Sequence, residues 1–287
     1  MHVTLASLED MATFSGWAAN EGWQPGQGDS EPFHGADPRG FHLGDINGET
    51  AALISAVRYD TYFAFIGFYI VRRDLRGRGL GHRIWDHGLA TVDGRVLGLD
   101  GVLEQEDSYS QAGFERSHLT TRYSGSIHHV RNSLAHARRD RVCDLEQSKI
   151  DPESLIDFDA LHVPDRRSSF IRGWTTSNPT RQTVVALNGE HILGYATVRQ
   201  VPGGSRVGPL FAADDEVAGE LIRWCVEVAH AWGDTFQMDI PDFNPGARAI
   251  VERLDMAPGF SCVRMYRGTP RSIQANGIYA NTTFELG

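Results

Sequence analysis

Between Gly67 and Trp85 the chain reads Gly67-Phe68-Tyr69-Ile70-Val71-Arg72-Arg73-Asp74-Leu75-Arg76-Gly77-Arg78-Gly79-Leu80-Gly81-His82-Arg83-Ile84-Trp85. A β-branched and aromatic run leads into a turn with glycine at every second position, and that turn leads into a helical pattern. Gly77, Gly79 and Gly81 carry no Cβ to hold a ligand away from the backbone. Successive N–H groups at the start of a helix form a receptor for linked phosphates. Arg76 and Arg78 add guanidinium donors for phosphate oxygens. Two common phosphate loops are excluded by their own spacing. A Walker loop needs Gly-Lys-Ser/Thr, and the segment holds no lysine. The dinucleotide fingerprint needs a third glycine where His82 or Ile84 stands, which disfavours a nicotinamide-dependent oxidoreductase. What remains is Arg-x-x-Gly-x-Gly, read as Arg76, Gly79 and Gly81.

The surrounding elements must hold this turn. The sequence predicts a strand over residues 2–6, a helix from Ser7 to about Trp23 with Asp10 in its first turn, and a loop over the Gly/Pro/Asp-rich residues 24–40. Strands follow at 41–43, 51–59 and 62–71, the first two joined across Ile46-Asn47-Gly48. After Gly81 the period changes: Ile84, Gly88 and Val92 recur every fourth residue, with Trp85 and Leu89 beside them, as on the buried stripe of a helix. A strand at 96–102, a short helix at 107–112 and a strand at 114–123 complete the unit.

The turn resembles the acyl-CoA pyrophosphate loop of GNAT acyltransferases, and the likeness spans residues 1 to about 125. It includes Glu21-Gly22-Trp23-Gln24-Pro25-Gly26, the strand through Gly67-Phe68-Tyr69-Ile70-Val71, and Tyr109-Ser110-Gln111-Ala112-Gly113-Phe114. The chain resembles a bacterial GNAT subgroup carrying a second, GNAT-like domain. The resemblance implies that the backbone of Phe68, Tyr69, Ile70 and Val71 pairs with the pantetheine arm of acetyl-CoA (or another acyl-CoA) as an added strand would. It implies that the amides of Arg76, Gly77, Arg78, Gly79, Leu80, Gly81 and His82 hold the pyrophosphate. It implies as well that a backbone N–H polarises the thioester and that an amine of a small molecule or peptide attacks it directly. Tyr109 stands at the family position for the acid that protonates the departing thiolate; an ordinary core or surface tyrosine is the alternative. The chain departs from the pattern at Gly67, where many members carry a glutamate base. An ordered water or Asp100 is left for that role, with a structural part in a turn equally open to Asp100. Glu21 and Asp29 are candidates to hold a substrate ammonium. The missing strand glutamate also leaves open a binding module that senses acyl-CoA without turnover.

The second half repeats the order of the first: a helical region over 151–167, strands at 184–187, 192–200 and 207–211, an amphipathic helix at 218–232, a strand at 236–240, a helix at 245–254 and a strand at 260–266. The expected fold is thus α/β (α+β), with tandem GNAT-like domains over 1–125 and 142–287, each a mixed, mostly antiparallel sheet flanked by helices. Residues 126–141 are expected to be a solvated linker. The turn equivalent to the phosphate loop carries Asp214, Asp215 and Glu216 in place of glycine and arginine. Those carboxylates suit a helix N-terminus and repel phosphate. The second unit is therefore expected to have lost acyl-CoA binding, to close the acceptor groove of the first, and to end in a trailing arm over 268–287.

With 287 residues, two domains are expected. Net charge is −10, and residues 1–125 hold 17 acidic and 10 basic side chains. An acidic chain without a basic stripe is a poor nucleic-acid ligand; the surplus suits steering of cationic amines as well as solubility. No apolar run nears the roughly 20 residues of a membrane helix, and residues 1–14 do not read as a secretory signal, so no membrane association and a cytoplasmic location are expected. Cys143, Cys225 and Cys262 are expected to be reduced thiols. His128, His129 and His136 match no metal motif, so no metal is expected. A homodimer is compatible with the sequence.

Overall fold

The computed structural model describes residues 1–135 and 140–287. The first half runs β1 (His2–Leu5), α1 (Met11–Asn20), α2 (Ser30–Ala36), β2 (Phe41–Ile46), β3 (Glu49–Tyr59), β4 (Phe63–Val71), α3 (Leu80–Ala90), β5 (Val96–Val102), α4 (Glu106–Gln111) and β6 (Glu115–Ser126). After α5 (Ile127–Ser133) the second half gives β7 (Val142–Asp144), α6 (Pro152–Ala160), α7 (Ser168–Trp174), β8 (Arg181–Asn188), β9 (His191–Val201), β10 (Gly204–Ala212), α8 (Asp215–Ala229), β11 (Thr235–Pro241), α9 (Pro245–Arg253), β12 (Ala257–Arg267) and β13 (Ile278–Ala280). The two halves share one order, as the sequence predicts, in a mixed and mostly antiparallel α/β architecture.

The strands join into one sheet in the order β1-β2-β3-β4-β5-β12-β6-β11-β10-β9-β8-β7, with β13 on β10. In the middle the halves exchange a strand. β12 pairs with β5, from Cys262↔Val102 to Arg267↔Leu97, and β6 pairs with β11, from Thr235↔Ser126 to Pro241↔Thr120. Residues 257–267 therefore complete the first half's sheet, and residues 115–126 complete the second's. A boundary drawn at residue 125 divides the sequence but not the sheet.

Local chemistry explains the helix starts. Asp214 accepts from the Val217 amide at 2.9 Å and opens α8, whose Leu221, Ile222 and Cys225 are buried on one face. Asn244 accepts from Gly246 and Ala247 at 2.9 and 3.1 Å, and Pro245 sits in the first turn of α9. Ile84, Trp85 and Gly88 are the buried stripe of α3.

Several expectations change. The stretch 24–40 contains α2, because Phe33 stacks face to face on Trp174 of α7 at 5.7 Å and a tertiary partner outweighs the local Gly/Pro content. The expected linker contains α5, whose Ile127 and Val130, with Leu134 after it, are buried in the second half's core. His128 and His129 are exposed there; His136 lies outside the described residues. The expected trailing arm is an interior segment. Ile278, Tyr279 and Ala280 are buried and pair with β10, and residues 281–286 are buried as well. Thr282 receives hydrogen bonds from Arg167 and Arg199, and Tyr59 donates to the Leu286 carbonyl at 2.7 Å. Cys143, Cys225 and Cys262 are free thiols. Among the described residues no helix is long and apolar enough to cross a membrane.

Candidate functional site

The parallel pairing of β4 with β5 covers only Phe63↔Val96 to Ile66↔Leu99. Beyond Ile66 the strands separate. The cause lies at Phe68, which has φ 46°, a costly conformation for a bulky residue, next to the register shift between β3 and β4. Its ring is held by Phe14 at 5.5 Å, Phe33 at 5.9 Å and Phe41 at 6.5 Å. Aromatic packing thus fixes a kink that turns β4 away from β5. A cleft of about 620 Å³ opens between them, lined by Gly67, Phe68, Tyr69, Ile70 and Val71 on one side and by Leu99, Asp100, Val102 and Tyr109 on the other.

The glycine turn closes one end of this cleft, where Arg76, Gly77 and Gly81 line it. Gly77 and Gly79 both have φ +76°, in the left-handed region, and Gly79 is the N-cap of α3. A Cβ on Gly81 would stand 2.5 Å from the Tyr69 hydroxyl. Among the described residues no protein group accepts from the amides of residues 77–82; the first bond of the helix is from the Arg83 amide to the Gly79 carbonyl at 3.3 Å. Arg76 is held by its bond to the Val71 carbonyl, 3.0 Å, and its ion pair with Glu21, 2.6 Å. Against the upward push of partial burial, Arg76 and Arg73 keep the Glu21 carboxyl below its ordinary range. Arg78, Gly79 and His82 are exposed and Leu80 is buried; none of the four lines the cleft.

Tyr109 is 9 % exposed and packs against Trp85, the rings tilted and 5.6 Å apart. A Cβ on Gly101 would collide with its ring, so that glycine seats it. Burial, then Tyr69 and Cys262, push the phenol up, and it holds its proton throughout the physiological range.

The carboxylates placed by sequence reasoning are otherwise engaged. Asp100 lines the cleft, but its oxygens receive two 2.7 Å bonds from Arg264 of β12, and this bidentate pair leaves it poorly placed to accept a substrate proton. Asp29 does not reach the cleft. It is 2 % exposed, accepts from the Gly26 amide, and pairs with Arg181 at 2.6 Å and Arg199 at 3.1 Å. That arrangement corrects its expected part in holding a substrate ammonium: the carboxylate is neutralised inside the contact between the halves. Sequence reasoning missed the far wall, Phe260 and Cys262 from β12 and Phe284 and Glu285 from the last segment. The available signal was the apolar content of residues 278–286, unsuited to a solvated arm.

In the second half, β10 and β11 likewise pair only from Gly204↔Thr235 to Val207↔Met238 before parting. There β13 fills the gap, through Leu210↔Ala280 and Phe211↔Ile278. Tyr279 donates to Asp215 at 2.6 Å across the start of α8. The position equivalent to the first-half cleft is occupied by the chain itself.

Comparison with known proteins bears on this geometry. A family model described as Acetyltransferase (GNAT) family matches residues 6–114, and one described as Acetyltransferase (GNAT) domain matches residues 155–280. The chain is similar to the holothin acyltransferase of Pseudoalteromonas sp. (strain SANK 73390), 31% identical over 282 residues, which cover 98% of this chain and 93% of that one. In fold it is similar to a candidate acetyltransferase from Pyrococcus horikoshii, with TM-score 0.79 and 18% identity, covering 100% of this chain and 95% of the other. It is also similar in fold to a tandem GNAT protein from the clavulanic acid biosynthesis pathway, with TM-score 0.63 and 15% identity, covering 94% and 99%.

Proposed function

This chain belongs to the GNAT acetyltransferase family, with a second GNAT-like domain and acyl-CoA as its acyl donor, and from that premise we propose that transfer takes place in the cleft between β4 and β5. The observation carrying this reading is the coincidence of three features: strands parted after Ile66, a turn with unengaged amides at residues 77–82, and a helix N-terminus behind it.

In this reading the backbone of residues 68–71 pairs with the pantetheine arm, and the amides of residues 77–82 receive the pyrophosphate. Arg76, braced by Glu21, adds a charge-assisted contact. The thioester comes to rest near Gly67 and Phe68. The amine nitrogen attacks the carbonyl carbon directly, a C–N bond forms, and the C–S bond breaks with its electron pair on sulfur. Tyr109, protonated, donates to that sulfur. The second half contributes the acceptor side through Phe260, Cys262 and Phe284. We take acetyl-CoA as the donor and a small-molecule amine as the acceptor; the name of the curated relative makes holothin a reasonable first probe. A sensor without turnover is the less favoured reading, given likeness to an acyltransferase over 98% of the chain.

Release of free thiol from a series of acyl-CoA esters, with holothin and a panel of amines as acceptors, tests the reading. Acceptor-dependent thiol release with formation of the amide is expected. Binding of acetyl-CoA with no thiol released to any acceptor would favour the sensor instead.

A further inference from the structure

The strand position at which many GNAT enzymes carry a glutamate is glycine in this chain, and the structure shows what stands against it. A Cβ on Gly67 would collide with the backbone oxygen of Glu285. The closing segment is pressed onto β4 where that strand leaves β5, at the reactive end of the cleft. Glu285 itself lines the cleft, is 4 % exposed, and its Oε1 has no hydrogen-bond partner among the described residues. The other cleft-lining carboxylates are placed differently. Asp100 is bound by Arg264, Glu21 is bound by Arg73 and Arg76, and Glu104 is exposed. A buried carboxylate with an oxygen left without a hydrogen-bond donor normally carries a large energetic cost, so its retention beside a reaction cleft points to use.

Resting on the acyl-transfer reading above, we propose that Glu285 is the general base of the reaction, delivered to the first-half cleft by the last residues of the sequence. As the neutral amine attacks the thioester carbon, an N–H proton passes from the amine nitrogen to the Glu285 carboxylate. The C–S electron pair leaves on sulfur, which takes a proton from Tyr109. Solvent then removes the proton from Glu285 and restores that of Tyr109, so that amine and thioester become amide and free thiol with no other reactant.

The surroundings suit a base. Burial pushes the Glu285 carboxyl above the ordinary glutamate range, while Arg199, Arg206 and Arg122 pull it back toward ionisation and Asp29 pushes it up again; the Cys262 thiol is a further titratable neighbour. Phe284 lies under the Arg122 guanidinium at 5.0 Å, which fixes the residue next to Glu285.

The test compares wild type, E285Q and E285D with acetyl-CoA and the best acceptor from the amine panel. It reads kcat, acetyl-CoA affinity by calorimetry and the pH profile of kcat/KM. The proposal expects kcat of E285Q to fall about 100-fold or more with acetyl-CoA affinity within about twofold. It also expects E285D to retain intermediate activity, and the acidic limb of the wild-type profile to be absent from the residual activity of E285Q. A wild-type kcat in E285Q would overturn the proposal. So would loss of acetyl-CoA affinity together with turnover in both variants, which would make Glu285 a structural residue. A wild-type protein that transfers no acyl group would overturn this proposal and the functional reading together, and that result is read before the variants.

Discussion

At Gly79 the left-handed backbone, φ +76°, and an open surrounding combine, so an added methyl meets no atom within 4 Å but strains the backbone. The cost of that conformation for an L-residue is about 1–2 kcal/mol. Gly79→Ala is therefore expected to shift the loop and weaken acetyl-CoA binding about tenfold, measured by calorimetry, while the melting temperature falls by only a few degrees. Unchanged affinity would mean that the loop does not hold the donor. Tyr109 is a separable case, because its ring is seated by Gly101 and Trp85 and its hydroxyl alone carries the proposed chemistry. Tyr109→Phe should lower kcat about 10- to 100-fold with acetyl-CoA affinity within about twofold. A wild-type kcat would remove Tyr109 from the mechanism. The glycine turn was legible in the sequence because its requirements are local: alternating glycines between a strand and a helix need no distant partner to be recognised. Glu285 was not, since nothing within residues 278–287 indicates that Gly67, more than two hundred residues earlier, leaves room for its backbone.

Elements are held across the exchange by charge pairs that sequence separation hides. Asp100 on β5 grips Arg264 on β12, side chains 0 % and 8 % exposed, and Arg264 also lies over the Phe65 ring. Removing one charge of a buried bidentate pair leaves the other unpaired and costs about 3–5 kcal/mol. Asp100→Asn should show that loss in denaturant unfolding; a kcat reduction with unchanged stability would return Asp100 to the chemistry. On β2, His42 is 2 % exposed, with Nε2 unpartnered among the described residues. Burial first, then the nearby His87 ring, pushes it down to about 4. An unfolded chain takes up this proton near pH 6.5, before the folded one does. The contribution to stability is thus complete above about pH 6.5 and is lost as pH falls toward 4, roughly 2 kcal/mol by pH 5. His42→Gln should reduce the loss of unfolding free energy between pH 7 and 5 by about 2 kcal/mol; an unchanged loss would contradict the assignment. The long strands and α8 were legible from period alone. Short α2 and α7 were not, because Phe33 and Trp174 form their helices by stacking on each other rather than by a stripe either could show by itself.

Across the whole molecule, one duplicated order supports two unlike halves. The first half parts its strands at the glycine turn and leaves the gap open. The second parts its strands at an acidic turn and fills the gap with β13. Exchange of β6 and β12 makes the filled half a wall of the open one, so Phe260 and Cys262 reach a cleft whose floor belongs to residues far earlier in the chain. Duplication was readable from the repeated element order. The exchange was not, since β6 and β12 have the apolar pattern of any paired strand and the pattern does not specify the neighbour. On the proposed reading, this arrangement leaves room for one acyl-CoA per chain. A crystal structure of the protein with acetyl-CoA tests that most directly. A single molecule per chain is expected, its pyrophosphate against the amides of residues 77–82 and its pantetheine along residues 68–71. Density for the pyrophosphate at the start of α8, or a pantetheine arm lying away from β4, would contradict it.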